Sequence, residues 1–180
     1  SRRNNMSSFA IIEHAAYGQS IDETDAGESR GGTTYPLIPL GTIVRAVDKA
    51  DTQYGVGEFI YLLGIASTAV GEVVTYNADD FSTTLAVANG VGPIATSMSI
   101  NVASQYGWYQ ISGKGVALVL TGFADNADCY LTATAGSIDD ANVGGDYIRG
   151  MKGASDIATP SAGLAEVEMW RPSVADLKDD

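Results

Sequence analysis

From residue 42 onward the chain repeats one kind of unit: a short run rich in Val, Ile, Tyr and Thr, then a stop containing Gly, Asn or Asp. This pattern constrains the fold more than any other feature, because such runs suit pleated, half-buried strands and the stops supply turn residues. The runs fall at residues 42–47, 58–63, 72–76, 92–99, 107–112, 115–120, 128–134, 145–152 and 165–171. A parallel α/β architecture needs helices of about ten residues or more between strands, and most of these gaps are shorter and glycine-rich. The sequence therefore predicts an all-β domain, a compact barrel or sandwich of eight to nine short, mostly antiparallel strands. The 21 glycines among 180 residues fit tight turns and close packing.

Three regions follow. Residues 1–35 lack sustained periodicity, carry Asp22, Glu23, Asp25 and Glu28 close together, and end in Ser29-Arg30-Gly31-Gly32; they read as an extended N-terminal arm with low self-sufficiency. Residues 36–172 form the β body, and 173–180 a polar C-terminal tail. One helix is expected within the body, over 81–88, with Asp79 or Asp80 as N-cap and Gly90 as the stop. Gly113-Lys114-Gly115 joins two β runs and reads as a tight hairpin. The runs on either side of residues 64–71, and those on either side of 122–127, also read as hairpins.

Charge and residue inventory remove several classes of function. Ten basic against 22 acidic side chains give a net charge of −12, and no cluster of Lys and Arg offers a track for phosphates or an anionic membrane, so neither nucleic acid nor membrane is an expected partner. No run approaches 18 apolar residues. The single cysteine, Cys129, excludes an internal disulfide and any Cys-rich metal site, and its place in Asp128-Cys129-Tyr130-Leu131 makes it a core residue. His14, the one histidine, has no sequence-local partner for acid–base or metal chemistry, and no Gly-x-Ser-x-Gly or phosphate-loop motif is present. The acidic pairs Asp79-Asp80, Asp125 with Asp128, and Asp139-Asp140 lack the spacing of a calcium loop and read as solvated turns. No catalytic, cofactor or metal residue is assigned, and the chain is not expected to be an enzyme.

The aromatic residues point to binding. Phe59 and Tyr61 share a strand face, Trp108 reads as core, and Trp170, beside Arg171 and the polar tail, reads as an interface anchor. The expected partner interface comprises Phe9, Ile11, Ile12, Tyr17 and Tyr35 of the arm with Trp170 and Arg171.

The runs Leu40-Gly41-Thr42-Ile43-Val44-Arg45-Ala46-Val47, Tyr54-Gly55-Val56-Gly57-Glu58-Phe59-Ile60-Tyr61-Leu62-Leu63-Gly64 and, most strongly, Ala103-Ser104-Gln105-Tyr106-Gly107-Trp108-Tyr109-Gln110-Ile111-Ser112-Gly113 with Leu131-Thr132-Ala133-Thr134-Ala135-Gly136 after it, resemble the small β-barrel decoration, or cement, proteins of tailed bacteriophage heads. The resemblance spans roughly residues 40–171. It implies a virion structural protein on the outer surface of the capsid, partnered by the phage major capsid protein, stabilising the shell as a homo-oligomer, with a trimer favoured, and tethered by the arm. Another phage structural role (major shell, tail or fibre) and a non-catalytic carbohydrate-binding β module are the alternatives. An enzyme requires converging carboxylates in a pocket, and a carbohydrate-binding module requires Trp108 or Trp170 exposed beside a groove.

Overall fold

The computed structural model describes residues 9–11, 20–50 and 53–175; His14, Ile12 and Tyr17 lie outside them. The described residues form an all-β domain of thirteen strands with no helix. In chain order these are β1 (Phe9–Ile11), β2 (Glu28–Arg30), β3 (Thr33–Tyr35), β4 (Ile43–Asp48), β5 (Val56–Leu63), β6 (Val73–Tyr76), β7 (Thr83–Leu85), β8 (Gly92–Ser97), β9 (Tyr106–Leu118), β10 (Asp128–Leu131), β11 (Ile138–Asp139), β12 (Tyr147–Gly153) and β13 (Leu164–Val174). Every ladder between them is antiparallel. The count exceeds the eight to nine expected because β1, β2, β3, β7 and β11 have only two or three residues, too few for a period of two to register.

Eleven strands belong to one sheet in the order β1-β4-β5-β9-β8-β13-β12-β10-β11, with β6 joining β8 and β7 joining β6; β2 and β3 form a separate ribbon. Strand β9 organises this sheet. Its first half pairs with β5, from Leu63↔Tyr106 to Glu58↔Ser112, and its second half with β13, from Trp170↔Ser112 to Leu164↔Leu118. The expected hairpin at Gly113-Lys114-Gly115 is therefore wrong: the chain runs straight through. These glycines serve close approach. A Cβ on Gly113, which has φ +94°, would stand 2.8 Å from the Val56 carbonyl oxygen, and one on Gly115 would stand 2.2 Å from Gln110 Oε1.

Two other local expectations also fail. Residues 81–88 are not helical: Phe81 has φ +57°, Asp80 accepts hydrogen bonds from the Ser82 N–H and hydroxyl, and Thr83–Leu85 pairs with β6. A two-turn helix has too few internal hydrogen bonds to compete with a ladder that uses β-branched Thr83 and Thr84. The proposed hairpins across 64–71 and 122–127 are absent as well, since β5 pairs with β4 and β9, β6 with β7 and β8, and β10 with β11 and β12. A glycine and a short gap mark the end of a strand but do not name its next partner.

Because β5 sits between β4 and β9, its alternate side chains enter two different cores. Phe59 and Tyr61 share one face with Val44, Ala46, Tyr106 and Trp108, while Ile60 and Leu62 share the other with Tyr109, Ile111, Val74 and Ala95. The Tyr61 ring lies 5.1 Å from that of Trp108, centroid to centroid. A third cluster, including Phe123, Leu131, Ile138, Ile148, Val167 and Met169, fills the space between β13, β12, β10, β11 and β6. Burial on both faces explains why β5 reads as an unbroken apolar run.

The Phe59–Trp108 face is covered by residues assigned to the arm and the start of the body. Ile21 is fully buried there, and Ile38 and Leu40 pack at its edge. Asp25 exchanges backbone hydrogen bonds with Tyr106 at 2.9 and 2.8 Å, and its carboxylate accepts one from the Tyr61 hydroxyl. Residues 20–27 thus act as part of the core cover, a role their polar composition conceals. Strands β2 and β3 differ: all six of their residues are exposed, and Gly31 and Gly32, both at positive φ, close a two-residue turn between Arg30 and Thr33. Replacing Ile21 by Ala should lower unfolding free energy by about 2–4 kcal/mol, whereas Tyr35→Ser should change it by less than about 0.5 kcal/mol; urea titration of both variants checks the contrast.

Candidate functional site

The most distinctive surface arises where β13 breaks its alternation. Ala165, Val167 and Met169 point inward, Glu168 and Trp170 outward, and then Arg171 is exposed as well before Pro172 and Val174 return to the interior. Two consecutive outward residues are the signature of a β-bulge. The β12 register records it: Met151 opposes Met169, yet Arg149 opposes Ser173. Arg171 takes φ +47°, a conformation that costs a non-glycine residue about 1–2 kcal/mol. Gly150, at φ +76°, lies against the bulge, where a Cβ would stand 2.8 Å from the Trp170 carbonyl oxygen.

The bulge presents Trp170, 60% exposed, beside the Arg171 guanidinium. Arg171 reaches across to β5 and donates two hydrogen bonds to Glu58, from Nε at 3.2 Å and Nη2 at 3.3 Å. The carboxylate raises the arginine pKa further, so Arg171 stays charged. Burial pushes the Tyr76 phenol pKa up, and the positive charge of Arg171 partly opposes this. Tyr76 lines an open depression of about 410 Å³ together with Thr75, Asn77, Ala78, Ser82, Thr84, Val91, Gly92 and Pro93. Strand β13 borders it directly, because Ser173 pairs with Pro93 and Val174 with Gly92.

The residues expected to form one interface are dispersed. Phe9 and Ile11 lie on β1, opposite Asp48 and Ala46 of β4. Strands β4, β5 and β9 lie between β1 and β13 in the sheet. Tyr35 ends the β2–β3 ribbon and is half exposed. Among the described residues of this set, Phe9 and Ile11 share β1, and Trp170 and Arg171 are neighbours on β13. Trp108 is buried, as expected of a core aromatic.

Nothing catalytic assembles elsewhere among the described residues. Cys129 is fully buried, and desolvation, with Asp128 and Asp140 nearby, pushes its thiol pKa up to about 12. The acidic pairs order turns: Asp140 accepts from the Ala124 N–H and Asp139 from the Asp140 N–H. No group of three or more His, Cys, Asp or Glu could hold a metal among the described residues, and no helix there is long and apolar enough to cross a membrane. Sequence reasoning missed three buried carboxylates among the described residues, Asp48, Asp146 and Glu166, the last of them in an ion pair. Glu166 accepts from Lys114 Nζ at 2.7 Å and from the Gln53 carboxamide, while its backbone N–H donates to Ser155. Strand alternation puts Glu166 on the face opposite Val167 but cannot show that Gln53 covers that face.

No protein-family model matches this chain, and no curated protein matches it.

Two measurements probe these interior groups. Cys129 should resist a disulfide reagent at pH 8 in the folded protein and react fully once urea unfolds it. Lys114→Met should cost about 3 kcal/mol in unfolding free energy, because it strands the Glu166 carboxylate; a Lys114→Met/Glu166→Leu double variant should recover most of that loss.

Proposed function

We propose that this chain is a virion structural protein: a non-catalytic subunit that binds the outer surface of a bacteriophage capsid through the phage major capsid protein and stabilises the shell. The resemblance of residues 40–171 to phage head decoration proteins supports the reading, as does an all-β body of antiparallel strands. The trimeric state comes from the resemblance. The observation that carries the proposal furthest is the β2–β3 ribbon, with all six residues exposed. A two-stranded ribbon without a core is marginal in water. It gains stability by docking, either through strand addition or through its side chains, and many copies on one shell multiply the effect of a weak contact. The net charge of −12 keeps free subunits apart and disfavours the nucleic acid inside the shell.

The ribbon can be removed without touching the core cover. Glu28 and Tyr35 face each other across it, so Asn-Gly can replace residues 29–34 and close the gap as a turn. The shortened protein should melt within a few degrees of the parent and lose at least about tenfold in affinity for purified capsids in co-sedimentation. Unchanged capsid affinity would overturn the role of the ribbon. Electron microscopy of the virion locates the subunit: density on the outer surface supports the assignment, and density confined to the tail or shell floor rejects it.

A further inference from the structure

Lys114 on β9, Glu166 on β13 and Gln53 between β4 and β5 bring an amine, a carboxylate and a carboxamide into contact. We propose that this cluster forms an isopeptide bond between Lys114 and Gln53, with Glu166 as its proton carrier. The cluster is independent of the β2–β3 ribbon and of the virion assignment.

Three distant parts of the chain build it. Lys114 Nζ donates to Glu166 Oε2 at 2.7 Å, and Gln53 Nε2 donates to Glu166 Oε1. One carboxylate thus holds the nucleophile and the electrophile on its two oxygens, so their encounter becomes intramolecular. The Glu166 side chain is only 5% exposed, and the buried Tyr54 lays its ring 5.7 Å from Lys114 Nζ. With the carboxylate enclosed, proton transfers stay within the cluster. Gln53 is exposed, which leaves ammonia a path out. The supporting strands are fixed by side chains. Gln110 Nε2 donates to the Ser112 and Lys114 carbonyls at 3.1 and 2.9 Å, and the Ser155 hydroxyl accepts the Glu166 N–H at 2.8 Å.

The reaction balances without an outside reagent, and the ion pair is its reactant state. Glu166 takes a proton from the Lys114 ammonium, and the neutral amine attacks Gln53 Cδ to form the Nζ–Cδ bond. Glu166 then delivers its proton to Nε2 and takes a second from Nζ. The Cδ–Nε2 bond breaks and ammonia leaves. The products are a secondary amide, ammonia and a protonated Glu166 whose O–H is a donor for the new amide. A buried ion pair carries a desolvation cost that neutral groups avoid, so the product is favoured.

The test follows the intact mass of the full chain over several days at pH 8. The mass should fall by one ammonia, and digestion should release a branched peptide joining the segments around Gln53 and Lys114. Lys114→Arg keeps a cation for Glu166 but lacks the primary amine, and Gln53→Ala removes the electrophile at an exposed position; neither should lose ammonia. Near-UV circular dichroism matching that of the parent verifies folding in both. Glu166→Gln leaves both reactants in place and should slow bond formation by about 100-fold or more. An unchanged parent mass overturns the proposal, and so does ammonia loss that persists in Lys114→Arg, which traces it to another amide. Bond formation at the parent rate in Glu166→Gln overturns the role of Glu166. The Lys114 and Gln53 variants decide the bond even where Glu166→Gln fails to fold.

Discussion

The ladder between β5 and β9 is the constraint on which the rest of the structure depends. Its strands send apolar side chains to both faces, and a sheet buried on both faces needs a cover on each side. One cover is built from β6 and β8, which supply Val74 and Ala95. The other comes from upstream, where Ile21 and Asp25 are fastened to Tyr61 and Tyr106. The polar stretch around residues 20–27 is thus held by the needs of the central strands, although its own composition promises little stability.

Strand β9 then carries the fold past this ladder. By changing partner at Ser112 it joins the β4–β5 side to the β13–β12 side without a turn, and glycines let the backbones approach closely at the exchange. Strand β13 must accommodate the same exchange from the other direction. It does so through the bulge at Trp170 and Arg171, after which it pairs with β8. The exposed indole, the Glu58–Arg171 ion pair and the edge of the depression therefore arise from one topological event. An isolated surface ion pair contributes little stability; here its consequence is orientation, because it links β13 to β5 across the exchange point.

Much of the architecture was legible in the chain. The runs at 42–47, 58–63, 72–76 and 165–171 became β4, β5, β6 and β13, the shared face of Phe59 and Tyr61 and the burial of Cys129 followed from alternation, and Trp108 is core as its residue type suggested. Connectivity was not legible. Gly113-Lys114-Gly115 has the composition of a turn but lies within a strand, since glycine serves tight reversals and close backbone approach equally well. Residues 81–88 have plausible caps, and the Phe81 N–H does donate to the Asn77 carbonyl, yet from Thr83 on the backbone pairs with β6 and donates to Val73 and Thr132, partners far from any helical register. The candidate site was half legible. Trp170 and Arg171 stood out by residue type, but Glu58, to which Arg171 donates, lies 113 residues away and carries no local mark of that contact.

The sequence by itself pointed to an all-β domain, because branched and aromatic runs broken by turn residues leave room for one short helix at most. It also removed disulfide and thiol-rich metal chemistry, since one cysteine cannot supply either. Only the tertiary structure decided which strands pair, that the upstream segment is core cover, and that a bulge brings Trp170 and Arg171 to the surface. The physical reason is range. Strand propensity and turn chemistry act over a few residues, whereas pairing and cover are settled by burial among segments a hundred residues apart, as when Glu58 meets Arg171.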